Sequence, residues 1–228
     1  MDLEQRRLWN ENHKKLTGII LDPLRHTNTI ELFLLQHAWL YSSRLGNTPI
    51  TTLEDELFKG MREETLRQYP VACPDTRNSI IWHIWHITRI EDMTMNILVN
   101  HDQQVLFSGN RYKELNVRFT HSGNDMSEEE IAELSSNMDI NALLSYRLEV
   151  GLRTRQIIQS LQPGHFKQKV DPDLLRELVD QGAVKEDSNW LIEYWGKKNI
   201  AGLILMPATR HHFLHLNKSI RIKKRIQK

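Results

Sequence analysis

Residues 78–99 read NSIIWHIWHITRIEDMTMNILV. Ile80, Ile84, Ile87 and Met95 follow one another at helical spacing, so the stretch is expected to be the middle of a buried helix. His83 and His86 interrupt its apolar surface. Burying two imidazoles costs desolvation unless something satisfies them. The chain must therefore supply other helices to cover this one and partners for its histidines.

The remaining pattern is helical too. Residues 3–20 are expected to form a short amphipathic helix with Leu8, Trp9, Leu16, Ile19 and Ile20 as apolar contacts. Pro23 opens a second, long helical segment. Leu32, Leu35 and Trp39, with Ser42 or Ser43 after them, recur along it as a core-facing row. LGNTP at 45–49 ends it with turn residues. Thr51 or Thr52 is expected to cap a polar helix reaching about Tyr69, its first turn rich in acids. Asn78 or Thr76 is the expected cap of the histidine-bearing helix. Residues 100–126 are irregular and long enough for a crossover or lid. Ser127 and Glu130 have the spacing of a capping box. A long helix follows over MDINALLSYRLEVGLRTRQIIQSL, and Asp171 with Pro172 starts another. KQKV at 167–170 could be extended. The last segment runs from about Lys197, and Pro207 is expected to break it or to begin a fresh helix. Four long helices with smaller ones around them define an all-α bundle.

At 228 residues, with 39% hydrophobic and 26% charged, the chain can build one good core or two small ones. A net charge of +1 gives no global field that demands nucleic acid. Cys73 is the single cysteine, so no intrachain disulfide can form, which fits a reducing compartment. The polar start MDLEQRRLWNENHKK has no signal-peptide core. No apolar run approaches the ~20 residues of a spanning helix. A soluble, cytoplasmic protein without membrane attachment is the expectation.

A second histidine cluster lies in RHHFLHLNKS at 210–219. His211 and His215 stand four apart, which on a helix rotates them by only ~40° and stacks them on one face. Such a pair can grip one metal ion, and His86, or His83 one turn earlier, is a donor from a facing helix. Three neutral imidazoles leave a fourth, open position. Taken singly, each cluster is weak: an HxxxH is commonly surface chemistry, and a histidine on an apolar helix is commonly a satisfied core residue. Two clusters in two long helices of one bundle favour a metal site. His212 points ~100° away from His211 and is expected outside the ligand set.

WHITRIE together with MPATRHHFLHLNKS resembles the DinB/YfiT-like family of metal-binding four-helix bundles. The resemblance covers most of the chain, residues 1–228 reading as a single domain with an N-terminal extension over 1–22. It implies a non-simple helix connection with additional short helices and a long crossover. It also implies His86, His211 and His215 as ligands of a divalent metal such as zinc, nickel or iron, with Glu91 downstream. Members of that family include bacillithiol S-transferases and mycothiol-dependent maleylpyruvate isomerases. The expectation is a metal-dependent transferase or hydrolase with a small-molecule substrate such as a low-molecular-weight thiol, and a homodimer is compatible with it. The alternative is a non-catalytic metal- or ligand-binding bundle in which His83 or His37 closes the open position. No catalytic residue beyond the ligands is indicated.

The tail KSIRIKKRIQK carries six Lys or Arg between 218 and 228, which is expected to complement a helix C-terminus rather than bind an anionic partner. Arg147, Arg153 and Arg155 share one helix and are expected to be mostly solvated, with one of them able to bind an anionic substrate. Trp39, Trp82 and Trp85 are expected to pack the core or wall a pocket.

Overall fold

A computed structural model describes residues 3–46 and 50–227. Its main helices are α1 (Leu3–Ile19), α2 (His26–Ala38), α3 (Leu53–Phe58), α4 (Ile80–Asp92), α5 (Glu128–Asn137), α6 (Ile140–Ser160), α7 (Pro172–Asp180), α8 (Asn189–Gly196), α9 (Ile200–Leu205) and α10 (His211–Ile226). Among the described residues there is no strand, and Lys169 at the expected extended stretch makes only an isolated bridge to Asn199. No described helix is long and apolar enough to cross a membrane.

α4 is the central helix. It packs against both α6 and α10, and every residue from Ile80 to Val99 is buried. Ser79, one residue beyond the expected cap, accepts from the Trp82 N–H and so starts the helix. At its far end α4 widens into a π-helical stretch, Met93–Val99. α9 and α10 form one continuous rod joined by a second π-helical stretch, Met206–Arg210. Pro207 therefore neither breaks the helix nor starts a new one. The wider turn absorbs it, and the Thr209 hydroxyl lies 3.0 and 2.8 Å from the Ile204 and Leu205 carbonyls. His13 of α1 also reaches the Leu205 carbonyl at 3.1 Å. Trp9 of α1 stacks on Phe213 at 4.0 Å between ring centroids, pinning α1 to the histidine-bearing rod.

Several sequence expectations are corrected. The segment after Pro23 stops at Ala38 instead of continuing towards Leu45. Its next carbonyls go elsewhere, that of Trp39 to the Leu53 N–H and that of Leu40 to Arg147. The buried residues of α2 include Thr29, Phe33, Gln36 and His37 in place of Leu32 and Leu35, of which Leu32 is half-buried and Leu35 exposed. The turn expected at 45–49 falls largely on Asn47, Thr48 and Pro49, outside the described residues. Thr52 and Asp55 make a complete capping box for α3. The helix then ends at Phe58, near Gly60 with φ +63°, and a separate turn covers Glu63–Arg67. Trp9 and Leu16 of α1, and Ile20 just after it, bury as expected but Leu8 is exposed. The capping box at Ser127 and Glu130 and the start of α7 at Pro172 form as read.

The basic tail is engaged within the chain. Lys223 Nζ donates to the carbonyls of Glu56, Leu57 and Lys59 at the end of α3. Arg221 pairs with Asp75, and Lys218 reaches the Asp75 carbonyl. The cations thus cap a neighbouring helix rather than only their own. Lys228 lies outside the described residues.

Candidate metal centre

α4 and α10 lie side by side, and their histidine faces meet. One nitrogen from each of His86, His211 and His215 falls within 4.8 Å of the other two. His86 Nε2 and His211 Nε2 are 3.1 Å apart. Two imidazole nitrogens on one tetrahedral zinc, each about 2.05 Å from the ion, stand about 3.3 Å apart, so this pair already has ligand spacing.

The tautomers fit as well. His86 Nδ1 donates to the Ser122 carbonyl at 2.7 Å, which leaves Nε2 with its lone pair turned to His211. Trp82 stacks on the His86 ring at 4.6 Å between centroids and donates its indole N–H to the Gly123 carbonyl. The ring is thus held both in plane and in direction. His211 Nδ1 is buried and has no hydrogen-bond partner. If it carries the proton, two lone pairs face each other at Nε2. If it does not, a buried acceptor goes unpaired. A cation between the Nε2 atoms resolves the first case. The donor set therefore fits a divalent ion.

His83 supports His215. Its Nδ1 lies 2.9 Å from His215 Nδ1, and its Nε2 lies 3.2 Å from the Thr76 hydroxyl. A consistent assignment has His215 Nδ1–H donating to His83 and His83 Nε2–H donating to Thr76. That is the outer hydrogen bond that a ligating imidazole normally makes. Burial, reinforced by neighbouring imidazoles, keeps the cluster neutral. It lowers the pKa of His83 to about 3 and of His86 to about 4, and those of His211 and His215 well below the usual histidine value. Neutral rings are what a metal requires.

His212 turns away, as its rotation predicts, into a buried polar network. Glu91 is its centre. His37 Nε2 is 2.8 Å from Glu91 Oε1, and Tyr41 donates to Oε2 at 2.5 Å. His212 Nε2 lies 2.8 Å from the same Oε2, off the ideal hydrogen-bond line. Arg147 Nη1 is 3.1 Å from His212 Nδ1, so Nδ1 is the acceptor and Nε2 carries the proton. Arg147 also pairs with Glu54 at 2.6 Å and stacks over Tyr41. It is fully buried, which corrects the expectation of a solvated arginine and removes it as a substrate anchor. Burial opposes the Glu91 charge, but His212 and His37 outweigh it and hold its pKa well below the usual value. His37 is committed to this network and is not available as a fourth ligand.

A cavity of about 300 Å³ opens on His86 and His211. Ile90, Met206 and Pro207 form its floor, and Trp190, Leu191, Tyr194 and Trp195 of α8 its outer wall. Asn124, from the end of the 100–126 crossover, completes the rim. The crossover is tied down rather than loose. Ser122 N–H donates to the Ala183 carbonyl, and the Asp125 carboxylate accepts from Ser188 and Trp190. Trp39 and Trp85 do not line this cavity.

Sequence reasoning missed three contributors. Ser122 acts through its backbone carbonyl, for which no side-chain signal exists. The α8 wall was visible as NWLIEYWG, three aromatic residues within six positions. Gly123 has φ +85°, and a Cβ there would lie 3.3 Å from the Trp82 indole nitrogen, so glycine lets the crossover lie on the helix.

A family model described as the DinB superfamily matches residues 50–217. The match contains the whole histidine cluster and the cavity, and leaves α1 and α2 outside it. A search of curated proteins finds no match.

Proposed function

The chain belongs to the DinB superfamily, and we propose that within it the protein is a metal-dependent enzyme for a small-molecule substrate, of the thiol-transfer or hydrolytic class. His86, His211 and His215 hold one divalent ion, zinc, nickel or iron. The observation that carries this reading is the convergence of three neutral imidazoles, two of which, His86 and His211, line a cavity. When bound, the metal supplies Lewis-acid chemistry that lowers the pKa of a thiol or a water.

The protein's own residues do the positioning. Ser122 and Trp82 aim His86, and His83 with Thr76 aims His215. The aromatic wall of α8 limits water. Among the described residues no carboxylate, lysine or arginine lines the cavity, so no separate general base is at hand. That supports thiol transfer over hydrolysis, because a thiol with a pKa of about 8.5 needs far less help to ionise than water does. A low-molecular-weight thiol is the proposed co-substrate.

A second reading, a non-catalytic metal-binding bundle, is favoured by one observation. His83 Nδ1 is 2.9 Å from His215, near enough to join the ligand set and close the open position. Elemental analysis of chelator-treated protein after titration with zinc or nickel should give one ion per chain. His215→Ala should lose it, and His212→Ala should keep the stoichiometry. Absence of binding at micromolar metal sinks both readings. In the cobalt-loaded protein, a visible spectrum that shifts on adding a thiol supports the enzyme, and an unresponsive one supports the closed site.

A further inference from the structure

The cavity beside the histidine cluster is chemically one-sided. Its outer wall is Trp190, Leu191, Tyr194 and Trp195, and Asn124 is its one amide. No charged side chain among the described residues lines it. Away from an ion held by the histidines, a carboxylate or phosphate placed against the α8 wall would be desolvated with no charged side chain lining the cavity to offset it. The nearby Lys185 is already spent on Glu130 and on the Asp125 carbonyl. At about 300 Å³, the space is about twice that of an apolar cavity of ~150 Å³ that accepts benzene. It suits one or two rings or a comparable branched chain.

We infer that the part of the molecule seated against α8 is uncharged and is an aromatic or branched hydrocarbon group, any anionic end being confined to the open position at the histidines. As a statement of substrate class it rests on the metal-site reading given above. The ring packs between Trp190, Tyr194 and Ile90, and the reactive end points at His86 and His211. A polar or anionic thiol then has to approach from the solvent side, and the apolar partner occupies the cavity.

Two thiols that differ in their tails test this: phenylmethanethiol, which carries a ring, and mercaptoacetate, which carries a carboxylate. Each is titrated calorimetrically into metal-free and zinc-loaded protein. In the metal-free protein, where no ion can chelate the carboxylate, phenylmethanethiol should bind at least about 10-fold more tightly than mercaptoacetate, with a negative heat-capacity change. Trp190 is 52% exposed and Tyr194 37%, so neither replacement opens the core, and the Asp125 carboxylate that loses the Trp190 N–H keeps its bond from Ser188. Trp190→Ala should weaken phenylmethanethiol by about 3–10-fold. Tyr194→Lys should narrow the gap by strengthening mercaptoacetate. Metal-free protein that binds the two thiols equally, or prefers mercaptoacetate, overturns the inference, and stoichiometric zinc uptake by the same protein leaves the metal site standing. Protein that takes no zinc but still binds phenylmethanethiol, less well with Trp190→Ala, removes the metal reading and keeps the apolar cavity.

Discussion

Replacing Glu91 by Gln keeps the shape of the side chain and removes its charge. Glu91 is fully buried, and its two oxygens face three donors: His37 Nε2, Tyr41 O–H and His212 Nε2. A glutamine has one acceptor oxygen. Its cheapest pose keeps that oxygen on Tyr41 and His212 and turns the NH₂ towards His37. The His37 proton must then move to Nδ1, which has no partner. The change loses the charge assistance of the contacts and turns the already unpaired His37 Nδ1 from an acceptor into a buried donor without a partner. With hydrogen bonds to charged groups contributing about 1.5–3 kcal/mol and an unpaired group costing about 1–3 kcal/mol, the expected loss is about 3 kcal/mol. For a chain of this size that is a fall in Tm of about 6–12 °C. Urea unfolding followed by circular dichroism at pH 7 measures it. The pH dependence gives a second reading. The folded pKa of Glu91 lies below its ordinary value of 4.5, so its stabilisation is complete above that pH and is lost as pH falls towards the folded pKa. The gap between wild type and Glu91→Gln should be constant from pH 6 to 7 and narrow below about pH 4.5. A loss under about 1 kcal/mol, or a gap that widens on acidification, would refute the reasoning.

His86→Ala should abolish stoichiometric zinc binding, whereas His83→Ala should cost no more than about 10–100-fold in affinity; equal losses in a zinc titration would place His83 among the ligands. Gly151→Ala should lower Tm although alanine is the better helix former, because the new Cβ would lie 2.6 Å from a Tyr41 ring carbon. That ring is held by Glu91 and Arg147, so overpacking of about 1–3 kcal/mol outweighs the ~1 kcal/mol propensity gain. A rise in Tm would mean that the ring yields freely.

The long helices were legible because their signals are local. Period and caps place the start of α4 and the span of α6 within a residue or two, the capping box at Ser127 formed where its spacing put it, and of the two expected caps for α3 it is Thr52 that serves. The breaks were less legible. α2 stops early because Leu53 and Arg147 take the carbonyls that would have continued it, and both partners are distant in sequence. Pro207 reads locally as a stop, yet a π-helical turn supported by Thr209 and His13 carries the rod through it.

The same division holds for the candidate site. Four-residue spacing alone puts His211 and His215 on one face and turns His212 away, since helix geometry is a property of neighbours along the chain. Whether His86 or His83 faces that pair depends on how α4 rotates against α10, and the packing of two helices sets that rotation. The carbonyl of Ser122, the counter-charges around Arg147 and the aromatic wall of α8 arrive from segments far apart in sequence. The chain's own order specified the helices and the paired histidines. Only tertiary contact, by choosing which side chains lose water together, determined which imidazoles converge and what the cavity beside them excludes.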